Sequence, residues 1–211
     1  MEYKSKIPKR FVQTGLVPLD ASLLTMIREK LGHDWKYEFY NDEDIITFFK
    51  NNPIDELPDI ISKFHSIKHG PHKADLFRYY YLYVNGGVYM DTDAMIYENI
   101  ENIIKEYDFI TVLSAGCPGT IFQGVIGCEP KHDIIKLALW DAYNTDPTIL
   151  LSDYHYWCRQ LYNILKNNKN EYSIKLYSEE SGEPGICRVM DANTILFKHF
   201  YYYKVIPTIQ S

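Results

Sequence analysis

The sequence predicts an α/β layered fold on three observations. Strand-like and helix-like apolar patterns alternate at short spacing through the first half of the chain. Residues that start and stop helices stand at the joints between them. The chain has 211 residues, 46% of them apolar, enough to bury one full core. No repeat or low-complexity linker divides it, so a single domain over residues 1–211 is expected.

Taken in order, Arg10 to Thr14 (RFVQT) follows Pro8 and reads as a strand. Asp20 is placed to cap a helix through Leu31 that stops near Gly32, and Trp35 to Tyr40 alternates like a second strand. Asp42 opens the helix DEDIITFFKN, and a proline-marked helix follows over Asp55 to Ile67. From Lys73 to Asn85, Leu76, Tyr80 and Tyr83 recur at i, i+4 and i+7, which is helical spacing. Gly86 suits the position after that helix, where left-handed backbone is cheap only for glycine. Val88 to Met90 is a short strand, and Asp108 to Leu113 and Ile121 to Gly127 are two more. His132 to Asn144 and Asp153 to Lys166 are amphipathic helices, and Tyr172 to Tyr177 and Thr194 to Tyr203 are late strands. Glu179, Glu180, Glu183, Pro184 and Gly185 read as a solvated charged loop.

Composition excludes some functions. Net charge is −6 and the basic residues are spread out, unlike the basic stripe of a nucleic-acid binder. Cys117, Cys128, Cys158 and Cys187 form no CxxC pair and read as reduced core residues. No apolar run reaches the roughly 18 residues of a membrane span, and the first residues lack a signal-peptide core, so a cytoplasmic location is expected. Tyrosine is abundant, with 19 copies, and a run such as Tyr79-Tyr80-Tyr81 puts rings where one end is buried and the hydroxyl wet.

The stretch from Lys73 to Ala94, KADLFRYYYLYVNGGVYMDTDA, carries the chemistry. Asp91 and Asp93 share one face where a buried strand ends. Two carboxylates that close repel, and a proton or a cation relieves them. Magnesium or manganese takes one or two carboxylates and completes its shell with phosphate oxygens, so the pair predicts a metal–diphosphate site at a strand's C-terminal edge. Asp75 and Arg78 share a helix face just before it. Gly86 and Gly87 remove side chains where the chain turns close to a ligand.

This stretch resembles the DXD-containing sugar-binding region of glycosyltransferase family 32. Its Asp, Arg, Gly-Gly, Tyr and Asp-x-Asp stand at the family's spacing. IPKRFVQTG, near the start, and IFQGVIGCEPKHDII, from Ile121, resemble two further blocks of that family. The resemblance implies a GT-A type nucleotide-sugar-binding fold, with a mixed central sheet flanked by helices. It implies transfer of a hexose, from a UDP-sugar before GDP-mannose, to a glycan or glycoconjugate acceptor with retention.

By the same resemblance, Asp91 and Asp93 are the catalytic pair: Asp93 ligates manganese or magnesium, Asp91 contacts the ion's shell and the sugar or ribose, and His199 completes the shell. Asp75, Arg78, Tyr89, Gly86 and Gly87 hold the donor sugar. Gln13, Thr14, Asn41 and Asp42 lie by the nucleotide, and Gln123 lies on the acceptor side. His69 and His72 read as capping or surface residues. Two rival readings exist: a binding module of this fold without turnover, and a haloacid-dehalogenase-type phosphohydrolase. The second also carries Asp-x-Asp after an apolar strand, but it gives no account of the block from Asp75 to Gly87.

Overall fold

The computed structural model describes residues 5–168 and 172–200. Most elements form where the local pattern places them. Strand β1 (Arg10–Thr14) leads to helix α1 (Ala21–Leu31), where Asp20 accepts hydrogen bonds from the Ser22 and Leu23 amides. Strand β2 (Lys36–Tyr40) precedes α2 (Asp42–Asn51), closed by a capping box between Asn41 and Asp44. Helix α3 (Ile60–Ser66) begins only after Pro58, later than the sequence suggests. Helix α4 (Gly70–Asn85) begins earlier than expected, with Pro71 tolerated in its first turn.

Strand β3 (Gly87–Met90) runs into the Asp91-Thr92-Asp93 connection and then β4 (Ala94–Ile96) and α5 (Ile100–Ile104). Strands β5 (Phe109–Leu113) and β6 (Ile121–Cys128) follow, then α6 (Asp133–Asn144), α7 (Ile149–Ser152) and α8 (Tyr156–Asn168). The described chain finishes with β7 (Ile174–Ser181), β8 (Ile186–Asp191) and β9 (Thr194–Phe200). Residues 201–203 of the expected last strand lie outside the described residues. The elements β4, α5 and α7 hold 3, 5 and 4 residues, too few to show a period. The expected charged loop at Glu179 and Glu180 is instead the end of β7, paired with Val189 and Arg188 of β8. The turn residues there are genuine, but they serve a hairpin.

The sheet order is β2-β1-β3-β6-β5-β7-β8-β9-β4. From β1 the chain goes to β2 on one side and then to β3 on the other, both parallel to it. That reversal leaves a crevice beyond the C-terminal ends of β1 and β3, where α/β sheets hold their ligands. Strands β3 and β4 stand six places apart in the order, about 29 Å if the sheet were flat. Only three residues join them, and Met90 to Ala94 spans at most about 14 Å. The sheet therefore curls back, and its far edge, β9 with β4, returns to the aspartates.

Apolar side chains fill both faces of the sheet. One layer packs α2, α3, α4, α6 and α8 on it through residues such as Phe49, Phe77, Ile126 and Trp157. The other packs α1, α5 and the returning strands around Ile27, Val88, Ile103 and Phe197. Tyr79, Tyr80 and Tyr81 are all buried, and each hydroxyl finds its own acceptor, at Gln123, Asn52 and Glu38. The tyrosine run is thus core with polar anchors. No helix among the described residues is long and apolar enough to cross a membrane.

Candidate active site

Asp91 leaves β3 with its amide donating to the Gly124 carbonyl at 2.9 Å, so the first aspartate is fixed by β6. Its Oδ1 accepts from Arg78 Nη2 at 3.0 Å and from the Tyr89 hydroxyl at 2.9 Å. Arg78 itself is buried in α4. Its Nε donates to the Ala74 carbonyl, its Nη1 to the Gln123 carbonyl, and its Nη2 also lies 3.3 Å from Asp75 Oδ1. The guanidinium rests over the Tyr89 ring, 4.3 Å from the centroid.

Burial pushes the Asp75 carboxyl up from its ordinary value, and Arg78 opposes that shift. Burial also works against the charge on Arg78, but Asp91 and Asp75 beside it outweigh the effect and keep it cationic. One buried cation thus holds two acids together, an arrangement in which removing the cation costs far more than the pair contributes. The Gln123 amide completes the network. In the orientation that best satisfies it, its nitrogen faces Asp75 Oδ1 at 3.3 Å and its oxygen accepts from the Cys158 amide at 3.0 Å.

The second aspartate is set by the returning edge. Phe200 donates its amide to the Asp93 carbonyl at 2.9 Å, and Ala94 pairs with His199. His199 Nε2 therefore stands 3.4 Å from Asp93 Oδ2. Its Nδ1 faces Glu179 Oε1 at 3.8 Å, and the Phe122 ring lies against it at a tilt of 40°, with centroids 4.4 Å apart. Phe122 can lie there because residue 124 is glycine, where a Cβ would come within 2.2 Å of that ring. Burial opposes protonation of His199, but Asp93 and Glu179 outweigh it and lift its pKa to about 9. Burial likewise pushes Glu179 up, yet His199 and the Ala115 amide hold it below the ordinary carboxylate value.

The fold brings Gln13, Thr14, Asp75, Arg78, Tyr89, Asp91, Asp93, Gln123 and His199 into one region, with several roles different from those expected. Gln13 is fully buried, donating to the Asp91 carbonyl at 3.1 Å and accepting from Tyr37, so it braces the loop from behind. Thr14 Oγ1 lies 2.8 Å from the Tyr89 hydroxyl. Tyr89 is buried beneath Arg78, which corrects the expectation of a ring beside the sugar. Gln123 is likewise buried in the Asp75 network rather than presented toward an acceptor.

Gly86 and Gly87 also need correction. They stand at the start of β3, at the far end of the strand from Asp91. Their positive φ angles and lost side chains admit Pro130 and Arg10, whose backbone atoms would lie 2.7 and 2.6 Å from an added Cβ. Asn41 and Asp42 serve α2: Asn41 caps it, and Asp42 pairs with Lys73 at 3.1 Å. His69 holds the N-cap position of α4, but His72 is buried, its Nε2 on the Tyr154 carbonyl at 2.9 Å. Glu179 escaped the sequence reading, because only the β7–β8–β9 pairing carries it to His199.

Asp93 and His199 fit a divalent cation in two respects, while Asp91 Oδ1 is taken by Arg78 and Tyr89. Asp93 Oδ1 is sealed from solvent and accepts no hydrogen bond among the described residues. The 3.4 Å from His199 Nε2 to Asp93 Oδ2 is close to the edge of an octahedron with bonds of 2.0–2.1 Å, about 3.0 Å. No cluster of three or more His, Cys, Asp or Glu among the described residues encloses a metal by itself. A cation here would need donors from outside the protein, such as the phosphate oxygens that a hard ion accepts.

Comparison with known proteins agrees with this geometry. Residues 22–110 match the family described as the glycosyltransferase sugar-binding region containing DXD motif. An uncharacterized glycosyltransferase of Acanthamoeba polyphaga mimivirus is 31% identical over 106 residues, 50% of this chain and 41% of that one. The initiation-specific alpha-1,6-mannosyltransferase of Saccharomyces cerevisiae is 31% identical over 107 residues, 47% of this chain and 22% of that one. This chain spans less than half the length of either relative. Among solved structures, the PaToxG glycosyltransferase superposes with a TM-score of 0.53 at 11% identity, covering 77% of this chain and 69% of that one. The architecture is of the GT-A type, and the matched segment, residues 22–110, contains Asp91-Thr92-Asp93, the one Asp-x-Asp after the β3 strand.

Proposed function

We propose that this chain transfers a hexose from a nucleotide sugar to a glycan or other acceptor, with manganese or magnesium held at Asp93. The sealed Asp93 Oδ1, which accepts no hydrogen bond among the described residues and follows the C-terminal end of β3, carries this reading. A bound divalent ion would supply Lewis acidity to the leaving nucleoside diphosphate, so no acid residue is needed to protonate it. Asp93 and His199 present their donor atoms on one side of the connection. Arg78 fixes the Asp91 and Asp75 carboxyl groups in a defined orientation beside the donor sugar, which spares reorganisation at the moment of reaction. Both carboxylates are engaged by Arg78, so neither is assigned as a nucleophile, in keeping with retention by a front-face route. The names of two relatives, both mannosyltransferases, make mannose one candidate for the transferred hexose.

A thermal-shift panel of UDP- and GDP-sugars, run with and without manganese, tests the reading. One donor should raise the melting temperature only with the cation, and Asp93→Ala should abolish the rise. A panel with no manganese-dependent shift would overturn the proposal, and phosphate release from an aryl phosphate would favour the phosphohydrolase.

A further inference from the structure

Glu179 is a carboxylate with almost no exposure, 1% for its side chain, on a strand whose sequence reads as a solvated loop. A buried acid needs a reason, since desolvating a carboxylate is costly unless it is paired. One oxygen has its partners: Oε2 accepts from the Ala115 amide at 2.9 Å and the Ser114 hydroxyl at 3.3 Å. The other, Oε1, is sealed from solvent, accepts no hydrogen bond among the described residues, and faces His199 Nδ1 at 3.8 Å.

We propose that Glu179 is a positioning residue: it holds His199 by Nδ1, so that Nε2 is the nitrogen turned to the donor-bound cation. This rests on the cation site proposed above. A histidine that ligates a metal through one nitrogen needs a proton acceptor at the other, which fixes both ring orientation and tautomer. Here the two ring nitrogens face two different carboxylates, Asp93 on one side and Glu179 on the other. Phe122 restrains the ring plane, and the Ala115 amide with the Ser114 hydroxyl restrains Glu179. The chain Ala115–Glu179–His199 therefore links the β5–β6 loop to the cation position. A mere staple for that loop would need only Oε2, and the placement of Oε1 is then unexplained.

Glu179→Gln separates the two roles, because its amide oxygen still accepts from Ala115 while its NH₂ cannot accept from Nδ1–H. Manganese is titrated calorimetrically into the whole chain with saturating UDP or, in parallel, GDP. Spin-echo modulation of the bound manganese by imidazole nitrogen is recorded on the same samples. The wild type should show one coordinated nitrogen. Glu179→Gln should weaken that signal and lower manganese affinity by about 10- to 100-fold. Unchanged affinity and unchanged modulation would overturn the proposal, as would a wild-type complex with no nitrogen on the metal. A wild type that binds no manganese with either nucleotide would instead sink the cation site and the proposed function with it.

Should Glu179→Gln not fold, the wild-type crystal soaked with manganese and nucleotide decides. The contact from Nδ1 to Oε1 should close to about 2.8 Å. A contact that stays beyond hydrogen-bond range refutes the role.

Discussion

His199 and His132 each face an aspartate, Asp93 at 3.4 Å and Asp108 at 3.8 Å, and burial opposes charge on both rings. Yet His199 is lifted to about 9 while His132 is lowered from its ordinary value, chiefly by burial with Asp108 only partly compensating. They also stand at opposite ends of the sheet. Phe109 pairs with Cys128 and Cys128 with Gly87, so Asp108 and His132 lie near the start of β3 while Asp91 follows its end.

Their other ring nitrogens also differ. His132 Nδ1 accepts the Ile134 amide at 3.2 Å as the N-cap of α6, a bond that a second ring proton would destroy. Phe109 and Tyr172 close over it at 5.2 and 4.5 Å. His199 Nδ1 meets a second acid. The same pair of residue types thus makes a neutral structural cap at one end and a charged cluster at the other. Asp93 and Glu179 together outweigh burial at His199, whereas Asp108 does not outweigh it at His132.

The strongest way to break the contrast is to remove the cation on which the functional end is built. Arg78→Met should destabilise the protein by about 3–5 kcal/mol, because Asp75 would remain buried beside Asp91 without a counter-charge. Chemical denaturation reads this directly. Arg78→Lys should recover only part, since an ammonium cannot reach Ala74, Gln123, Asp75 and Asp91 together. Wild-type stability in Arg78→Met would mean that the acids do not need it.

Gly87→Ala tests the structural end. Its φ of 107° and the 2.6 Å approach of Arg10 O predict a loss of about 2–4 kcal/mol from backbone strain and overpacking. Manganese affinity per folded molecule should be unchanged. A selective loss of nucleotide binding at wild-type stability would restore the sequence-based expectation that the glycine pair faces the donor.

Legibility from the sequence follows the same division. Helices with caps, such as those after Asp20 and Asn41, and the aspartates after β3 were legible because their signals are local. The glycine pair was legible as a turn but misread in purpose, since only tertiary contact with Pro130 and Arg10 reveals what fills the space. The Asp75–Arg78 pair was legible from its i, i+3 spacing, but the engagement of Arg78 with Asp91 depends on α4 packing over β3, which spacing along one helix does not show. The partner of His199 was invisible. Glu179 is 20 residues away and reaches it only through a three-strand register, Ser178 with Met190 and Cys187 with His199.

A smaller effect separates the two aspartates. With manganese and nucleotide present at about 100 times their dissociation constant, the wild type should gain about 2.7 kcal/mol. Asp93→Asn should lose that gain, and Asp108→Asn should keep it while lowering the cation-free baseline. Equal behaviour of the two variants would erase the distinction between the ends.

The smallest expected effect is a pH slope. His132 has a folded pKa below its unfolded value near 6.5, so the unfolded chain binds the extra proton first as pH falls. Its contribution to stability is fully present above pH 6.5 and is lost as pH drops through the folded value. His132→Asn keeps an N-cap acceptor for α6 but has nothing to titrate. Urea midpoints of the wild type should therefore decline below pH 6.5 more steeply than those of His132→Asn, with cation binding equal in both at pH 7.5. Identical acid slopes would mean that His132 takes up its proton without leaving the cap, and the contrast with His199 would then rest on distance alone.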